Sequence, residues 1–117
     1  MTNIDILEES LLQAIDALAE ESDDRVTKML ADLFKSAILK KYKEAFDEEL
    51  IKGEVQKKNI DKSVEFCYTD ICVAIRQCPT IQDNEKDDLI QKGKDLLPTI
   101  KDIVTQILLD KGVKICH

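Results

Sequence analysis

Hydrophobic residues recur at steps of three and four positions along most of the chain, which is the spacing of one face of an α-helix. The first such series begins at Ile4 and ends at Ala19, and the polar positions between its members fall on the opposite side. Three further series follow, separated by short polar segments. We therefore predict four helices, at about residues 4–20, 23–51, 60–78 and 84–111.

The second predicted helix changes its apolar face along its length. Its first apolar series begins at Val26, whereas Leu39, Phe46 and Leu50 are rotated away from that series. A helix with two apolar faces either bends or contacts another chain. Leu39, Phe46 and Leu50 are therefore candidate partner-binding residues.

The third predicted helix contains the most apolar stretch of the chain, and Asn59 is expected to cap its first turn. Nine of the twelve residues from Val64 to Ile75 are apolar, so we expect this element at the centre of the fold. The same stretch is rich in β-branched and aromatic residues, which leaves a β-strand as the alternative. Pro79 ends the element in either case.

Pro98 lies inside the fourth apolar series, whose register continues on both sides of it. Because proline lacks an amide hydrogen and its ring clashes with the preceding turn, we expect this helix to be kinked or split there. The 3 glycines and 2 prolines are too few for the many turns of a sheet protein. The chain is therefore predicted to be a single all-α domain over residues 1–117, a four-helix bundle with short connections. Residues 54–58 are expected to be a connection, and residues 113–117 a short tail.

Acidic residues are concentrated at the start of the chain. The formal net charge is −7, and the first 24 residues contain eight carboxylates without any Lys or Arg. On the first predicted helix, acids form a stripe opposite the apolar seam. The candidate partner-binding residues of this stripe are Asp5, Glu9, Asp16 and Glu20. Such a stripe favours docking to a basic protein surface, although the outer face of any amphipathic helix carries charges that aid solubility.

Lysines are concentrated in the second predicted helix, at Lys35, Lys40, Lys41 and Lys43. Nucleic-acid binding needs a basic footprint, but acids are interspersed among these lysines and their neighbours. Direct binding of nucleic acid is therefore not expected. The lysines could instead face the acidic stripe of a second copy, which would give a homodimer.

The N-terminal sequence is acidic, whereas a secretory signal has positive charge followed by a long apolar run. No stretch approaches the ~20 apolar residues of a membrane span. We therefore expect a soluble cytoplasmic protein with no membrane contact, whose cysteines are thiols in a reducing compartment.

Four cysteines are the residues best suited to metal or redox chemistry. Cys67, Cys72 and Cys78 lie on the third predicted helix at spacings that separate their side chains around and along its axis, and Cys116 is near the end of the chain. Structural zinc sites usually present pairs two to four residues apart on a turn. We therefore expect core thiols that behave as small hydrophobic side chains, with no metal and no cofactor.

Groups suited to catalysis are sparse. His117 is the only histidine and the final residue, so a histidine-dependent nucleophile is not expected, and there is no glycine-rich phosphate loop. Asp70 lies inside the apolar stretch, where an exposed or hydrogen-bonded position is favoured over a functional buried acid. We therefore expect that the protein is not an enzyme.

These observations predict a small acidic module that binds another protein through a helix face, as an adaptor, regulator or assembly subunit. One alternative is an acidic inhibitor or immunity-type protein that blocks a basic partner which handles nucleic acid; its binding would weaken steeply with salt. A second alternative is a helical bundle that binds a small apolar ligand between its helices.

Overall fold

The structure, a computed structural model, describes residues 3–41 and 54–117. This part of the chain contains four helices and two three-residue strands. The elements are α1 (Asn3–Glu21), α2 (Arg25–Lys41), β1 (Glu54–Gln56), α3 (Lys57–Gln77), α4 (Asp83–Asp110) and β2 (Lys114–Cys116). The predicted all-α four-helix bundle is confirmed. The second predicted helix extends beyond α2, and its residues 42–51 lie outside the described residues.

The helices pack around a shared aliphatic core. α1 and α3 each contact α2 and α4, and α2 also contacts α4. A three-residue turn joins α1 to α2, and a five-residue turn joins α3 to α4. The predicted spacing is confirmed on α1, where Leu7, Leu11 and Ile15 are fully buried. Burying a side chain of this size contributes ~1.5–3 kcal/mol, so these seams supply most of the driving force for packing.

The apolar stretch over residues 64–75 is helical, so the alternative of a β-strand is wrong. Cys67, Ile71 and Ile75 are buried at four-residue steps on one face of α3. Tertiary contact with both α2 and α4 gives this helix apolar surfaces to pack against, which overrides the β propensity of its residues.

The start of α3 differs from the prediction. The helix begins at Lys57, and the residue before it, Gln56, makes no side-chain capping hydrogen bond. Asn59 lies inside the first turn rather than capping it, with only 1% of its side chain exposed. Its Nδ2 has no hydrogen-bond partner among the described residues.

α4 passes through Pro98 as one continuous helix, so of the two predicted alternatives, a kink or a split, the split is excluded. Proline removes the hydrogen bond that the carbonyl of Lys94 would otherwise accept. Both residues are exposed, which allows water to bind that carbonyl. The buried face, which includes Leu97 and Ile100, continues across this position without interruption.

Residues 54–56 and 114–116 form a parallel two-stranded ladder, which corrects the predictions of a connection and a free tail. Val55 pairs with Ile115 at its centre. Val55 and Val113 are both buried, so the ladder adds to the core near the start of α3 and the end of α4. Lys114 also lies 3.9 Å from Glu54 across the ladder.

Tyr68 fixes the distance between α3 and α4. Its hydroxyl donates a 2.8 Å hydrogen bond to the carbonyl oxygen of Ile90. Burial, together with the neighbouring Cys72, raises the pKa of Tyr68 to about 12, so the hydroxyl remains a donor at neutral pH. Its ring packs on Gly93, where an added Cβ would lie 3.2 Å from Tyr68 Cε2. The two helices approach this closely because residue 93 has no side chain.

Gly93→Ala is expected to lower the free energy of unfolding by about 1 kcal/mol. Alanine favours the helix by ~1 kcal/mol over glycine, but overpacking against a ring that is held by its hydroxyl costs ~1–3 kcal/mol. In a Tyr68→Leu background the ring is gone, and the same substitution should become stabilising. Wild type, the two single variants and the double variant form a double-mutant cycle. Denaturant unfolding followed by far-UV circular dichroism measures the free energy of unfolding of each. Equal effects of Gly93→Ala in both backgrounds would show that the ring contact does not limit the helix distance.

Candidate functional site

The predicted acidic stripe of α1 is partly engaged within the bundle. Asp16 binds the ammonium group of Lys35 on α2 at 3.0 Å, and Glu9 lies 3.7 Å from that of Lys111. Asp5 also takes part in a contact within the protein. Glu20 is exposed and has no ion pair among the side chains that the structure describes. Asp16 and Glu9 therefore connect α1 to its neighbours, and partner binding by the stripe stays a prediction.

The second predicted surface is represented by Leu39 alone. This side chain is 62% exposed near the end of α2, as expected for a residue rotated away from the core seam. Phe46 and Leu50 lie outside the described residues. A single exposed leucine is common on protein surfaces, so the role of Leu39 in binding stays a prediction.

A groove of about 390 Å³ lies between the first turns of α2 and α4. We call it the Met29 groove, and its lining residues are Val26, Met29, Glu85, Asp88, Leu89 and Lys92. Each wall follows helical spacing, with two lining residues three positions apart on α2 and four lining residues along one face of α4. The lining therefore combines three apolar side chains with two carboxylates and one lysine.

Met29 contributes an exposed apolar side chain to this groove. It belongs to the apolar series of α2, yet it is 40% exposed, whereas Leu30 beside it is fully buried. Val26 is half-buried, and Leu89 forms the buried part of the lining. An unbranched, polarisable side chain at the surface can adjust to irregular apolar partners.

Asp24 joins α2 to α4 at the edge of the groove. Its carboxylate forms an ion pair with Lys92. It also accepts 3.1 Å hydrogen bonds from the backbone amide of Val26 and the hydroxyl of Thr27, which caps the first turn of α2. The hydrogen bond from Lys92, followed by that from the Val26 amide, lowers the pKa of Asp24. The positive charge of Lys92 is thus already partnered.

Glu85 and Asp88 carry the remaining charge of the groove. Both are exposed, and neither forms an ion pair with another residue of the described ranges. With Lys92 engaged by Asp24, the two lining residues whose charge is not paired within the described ranges are both acidic. The groove therefore offers apolar burial together with attraction for cationic groups.

A second groove, of about 440 Å³, lies around Pro98 and has a different chemistry. Three lysines and two aspartates line it, and Lys101 among them binds Glu65 at 3.0 Å and lies 4.0 Å from Asp61. Lysines outnumber aspartates in this lining, and its apolar part is limited to Leu97 and Pro98. This groove offers no comparable apolar surface.

The four cysteines are free thiols in different environments. Cys67 is buried, and burial together with the nearby half-buried Asp70 raises its pKa to about 12. Cys78 ends α3, and its sulfur lies 3.2 Å from the hydroxyl of Thr80. That hydrogen bond, with smaller contributions from nearby backbone amides and Lys86, lowers the pKa of Cys78. Within residues 3–41 and 54–117, no three His, Cys, Asp or Glu side chains are grouped so as to hold a metal ion.

Sequence reasoning missed the groove because its two walls are distant in the chain. Met29 follows the same helical period as the buried residues of α2, so its period gives no sign of exposure. The acids at the start of α4 are visible in the run from Asp83 to Asp88, but their position beside α2 depends on packing. The acidic run at the start of the fourth predicted helix is therefore the one component of the groove that the sequence shows.

Comparison with known protein families, with curated proteins and with solved structures gave no match. In the described residues, the helices lack the length and apolar character needed to cross a membrane.

Substitution of Asp24 separates its capping role from its charge. Asp24→Asn keeps an oxygen that accepts the amide hydrogen bond, whereas Asp24→Ala removes both the cap and the charge. We expect the thermal unfolding midpoint to fall in the order wild type, Asp24→Asn, Asp24→Ala, as measured by circular dichroism. An alanine variant as stable as the asparagine variant would contradict the capping role.

The contribution of Asp24 should also depend on pH. Because folding lowers the pKa of this carboxyl below its ordinary value of 3.8, the charged form stabilises the folded state above that value. This contribution is lost as the pH falls through the lower folded pKa. The difference in midpoint between wild type and Asp24→Asn should thus shrink in acid, and a difference independent of pH would exclude a role for the charge.

The cysteines should differ in their rates of alkylation. At neutral pH, iodoacetamide is expected to modify Cys78 first, because its lowered pKa provides more thiolate, and Cys67 last. Peptide mass spectrometry of a time course measures the order. Cys78→Ser should remove the fast phase and Cys67→Ser should leave it unchanged; equal rates at both sites would contradict the structure.

Proposed function

We propose that the protein is a protein–protein interaction module that docks a partner with a basic surface, as an adaptor, regulator or assembly subunit. The observation that carries this proposal is the Met29 groove, where apolar side chains reach the surface beside carboxylates that form no ion pair with another described residue. Apolar contact supplies affinity, and complementary charge supplies orientation and a faster encounter. This combination is typical of a docking surface.

The surfaces suggested by the sequence enter this proposal as further contacts. Glu20 is the member of the acidic stripe whose substitution breaks no ion pair among the described side chains. Asp16 and Glu9 pair with Lys35 and Lys111, so their reversal would disturb helix packing as well as any docking. Glu20 and Leu39 are therefore the positions at which these two surfaces are tested.

The experiment compares partners captured from a native lysate by wild type and by three single variants, Met29→Glu, Leu39→Glu and Glu20→Lys. Leu109→Glu is the matched control, because Leu109 is a similarly exposed apolar residue near the opposite end of α4. Quantitative mass spectrometry is the readout, after circular dichroism has shown equal helicity. We expect a partner enriched by wild type and by Leu109→Glu to be reduced at least about tenfold by Met29→Glu, a loss of ~1.4 kcal/mol of binding.

If Leu39→Glu or Glu20→Lys lost the partner and Met29→Glu did not, the proposed function would stand, but the docking surface would be the one that contains the substituted residue. The same partner list for all five proteins would contradict a docking role for all three surfaces. A partner lost equally from Met29→Glu and from the Leu109 control would indicate a general effect of added charge, and would also contradict the proposal.

A further inference from the structure

We infer that the Met29 groove binds a basic amphipathic helix of the partner, with an apolar anchor in the groove and Lys or Arg side chains against Glu85 and Asp88. The inference rests on the proposed function and specifies the chemistry of the partner at that site. It is carried by the shape of the groove, by its charge and by the side chains at its base.

The shape of the groove favours a helix over an extended segment. Glu85, Asp88 and Lys92 recur at three- and four-residue steps, so this wall spans about two turns of α4, or ~10 Å. Both walls are helices, which present side chains rather than the open main-chain edge to which a strand would add. A docked helix offers apolar anchors at the same three- and four-residue steps.

The charge of the groove favours a cationic partner. Lys92 is paired with Asp24, so Glu85 and Asp88 are the charged lining residues that have no ion pair with another described residue. Long Lys and Arg side chains can lie along apolar surface while their charged ends reach a carboxylate at its edge. A helix with an apolar face flanked by such residues therefore matches both parts of the groove.

The same features disfavour other occupants. Two copies related by a twofold axis at this groove would bring Glu85 and Asp88 towards their own equivalents, and like charges in contact oppose association. A small apolar molecule would stay partly exposed to water in a groove that is open on one side, and it would gain nothing from the carboxylates at its edge. The partner helix satisfies the apolar and the charged groups together.

The test uses a synthetic 14-residue peptide of leucine and lysine arranged with helical period, labelled with a fluorophore. One comparison peptide has the same composition in an order that destroys the apolar face, and a second has glutamate in place of lysine. Fluorescence anisotropy titrations with the full chain measure the affinity of each peptide. We expect binding of the helical lysine peptide only, and weaker binding as salt is raised from ~50 to ~300 mM.

Three variants locate the binding. Glu85→Lys with Asp88→Lys removes the negative edge, and Met29→Glu places a charge on the apolar lining. The matched control, Asp102→Lys with Asp110→Lys, makes the same change of net charge at exposed positions further along α4. We expect the first two proteins to bind the helical peptide at least about tenfold more weakly than wild type, and the control to change by less than about threefold.

Each other outcome overturns the inference in a recognisable way. If the Asp102 and Asp110 control weakened peptide binding as much as the groove variants, the attraction to an acidic protein would be non-specific. Equal affinity for the comparison peptide with the scrambled order would show the same. A concentration-dependent dimer that Met29→Glu abolishes would assign the groove to a second copy. If no peptide bound but Met29→Glu still lost a partner from the lysate, the basic-helix inference would be overturned and the proposed function would stand. If no peptide bound and Met29→Glu lost no partner, both the inference and the docking role of the groove would be overturned.

Discussion

Burial of one face of α4 is the constraint on which the remaining elements depend. α1, α2 and α3 all pack against this helix, and β2 follows it and contacts it as well. Its buried side continues from Leu89 to Leu108 and crosses Pro98 without a change of register. A proline is tolerated there because Lys94 and Pro98 are exposed, so that water can reach the carbonyl left unbonded, whereas the apolar side chains on the opposite face keep their partners. α1 and α3 are thus positioned against a single long element, and α2 packs on α1 and α3 as well as on α4.

The helices could be predicted because their burial follows a period visible in the sequence. Leu7, Leu11 and Ile15 illustrate this, since each is apolar, regularly spaced and buried. The strands could not be predicted in this way, because three residues are too few to show alternation and their partner lies sixty residues away. Asn59 failed as a cap for a related reason: β1 leads directly into α3 and starts the helix earlier than the polar residue suggests.

The candidate site shows the limit of predicting surfaces from charge. The sequence places the excess of acid in the first 24 residues, but Asp16 and Glu9 find lysine partners on other elements. The Met29 groove instead places Glu85 and Asp88 of α4, which form no ion pair within the described ranges, beside exposed apolar surface, in a region where acids and lysines are mixed along the chain. Net charge along a sequence reports how many charges are present, whereas the field at a surface depends on which of them are neutralised by packing.

The ladder between β1 and β2 has a consequence for the order in which the protein folds. Closing a loop of some sixty residues costs configurational entropy before three residues of pairing can return any stabilisation. The hairpin of α3 and α4 removes most of that cost, because it brings the two ends of the loop together through local contacts between neighbouring helices. We therefore expect the strands to pair late on the folding pathway, after α3 and α4 have assembled in register.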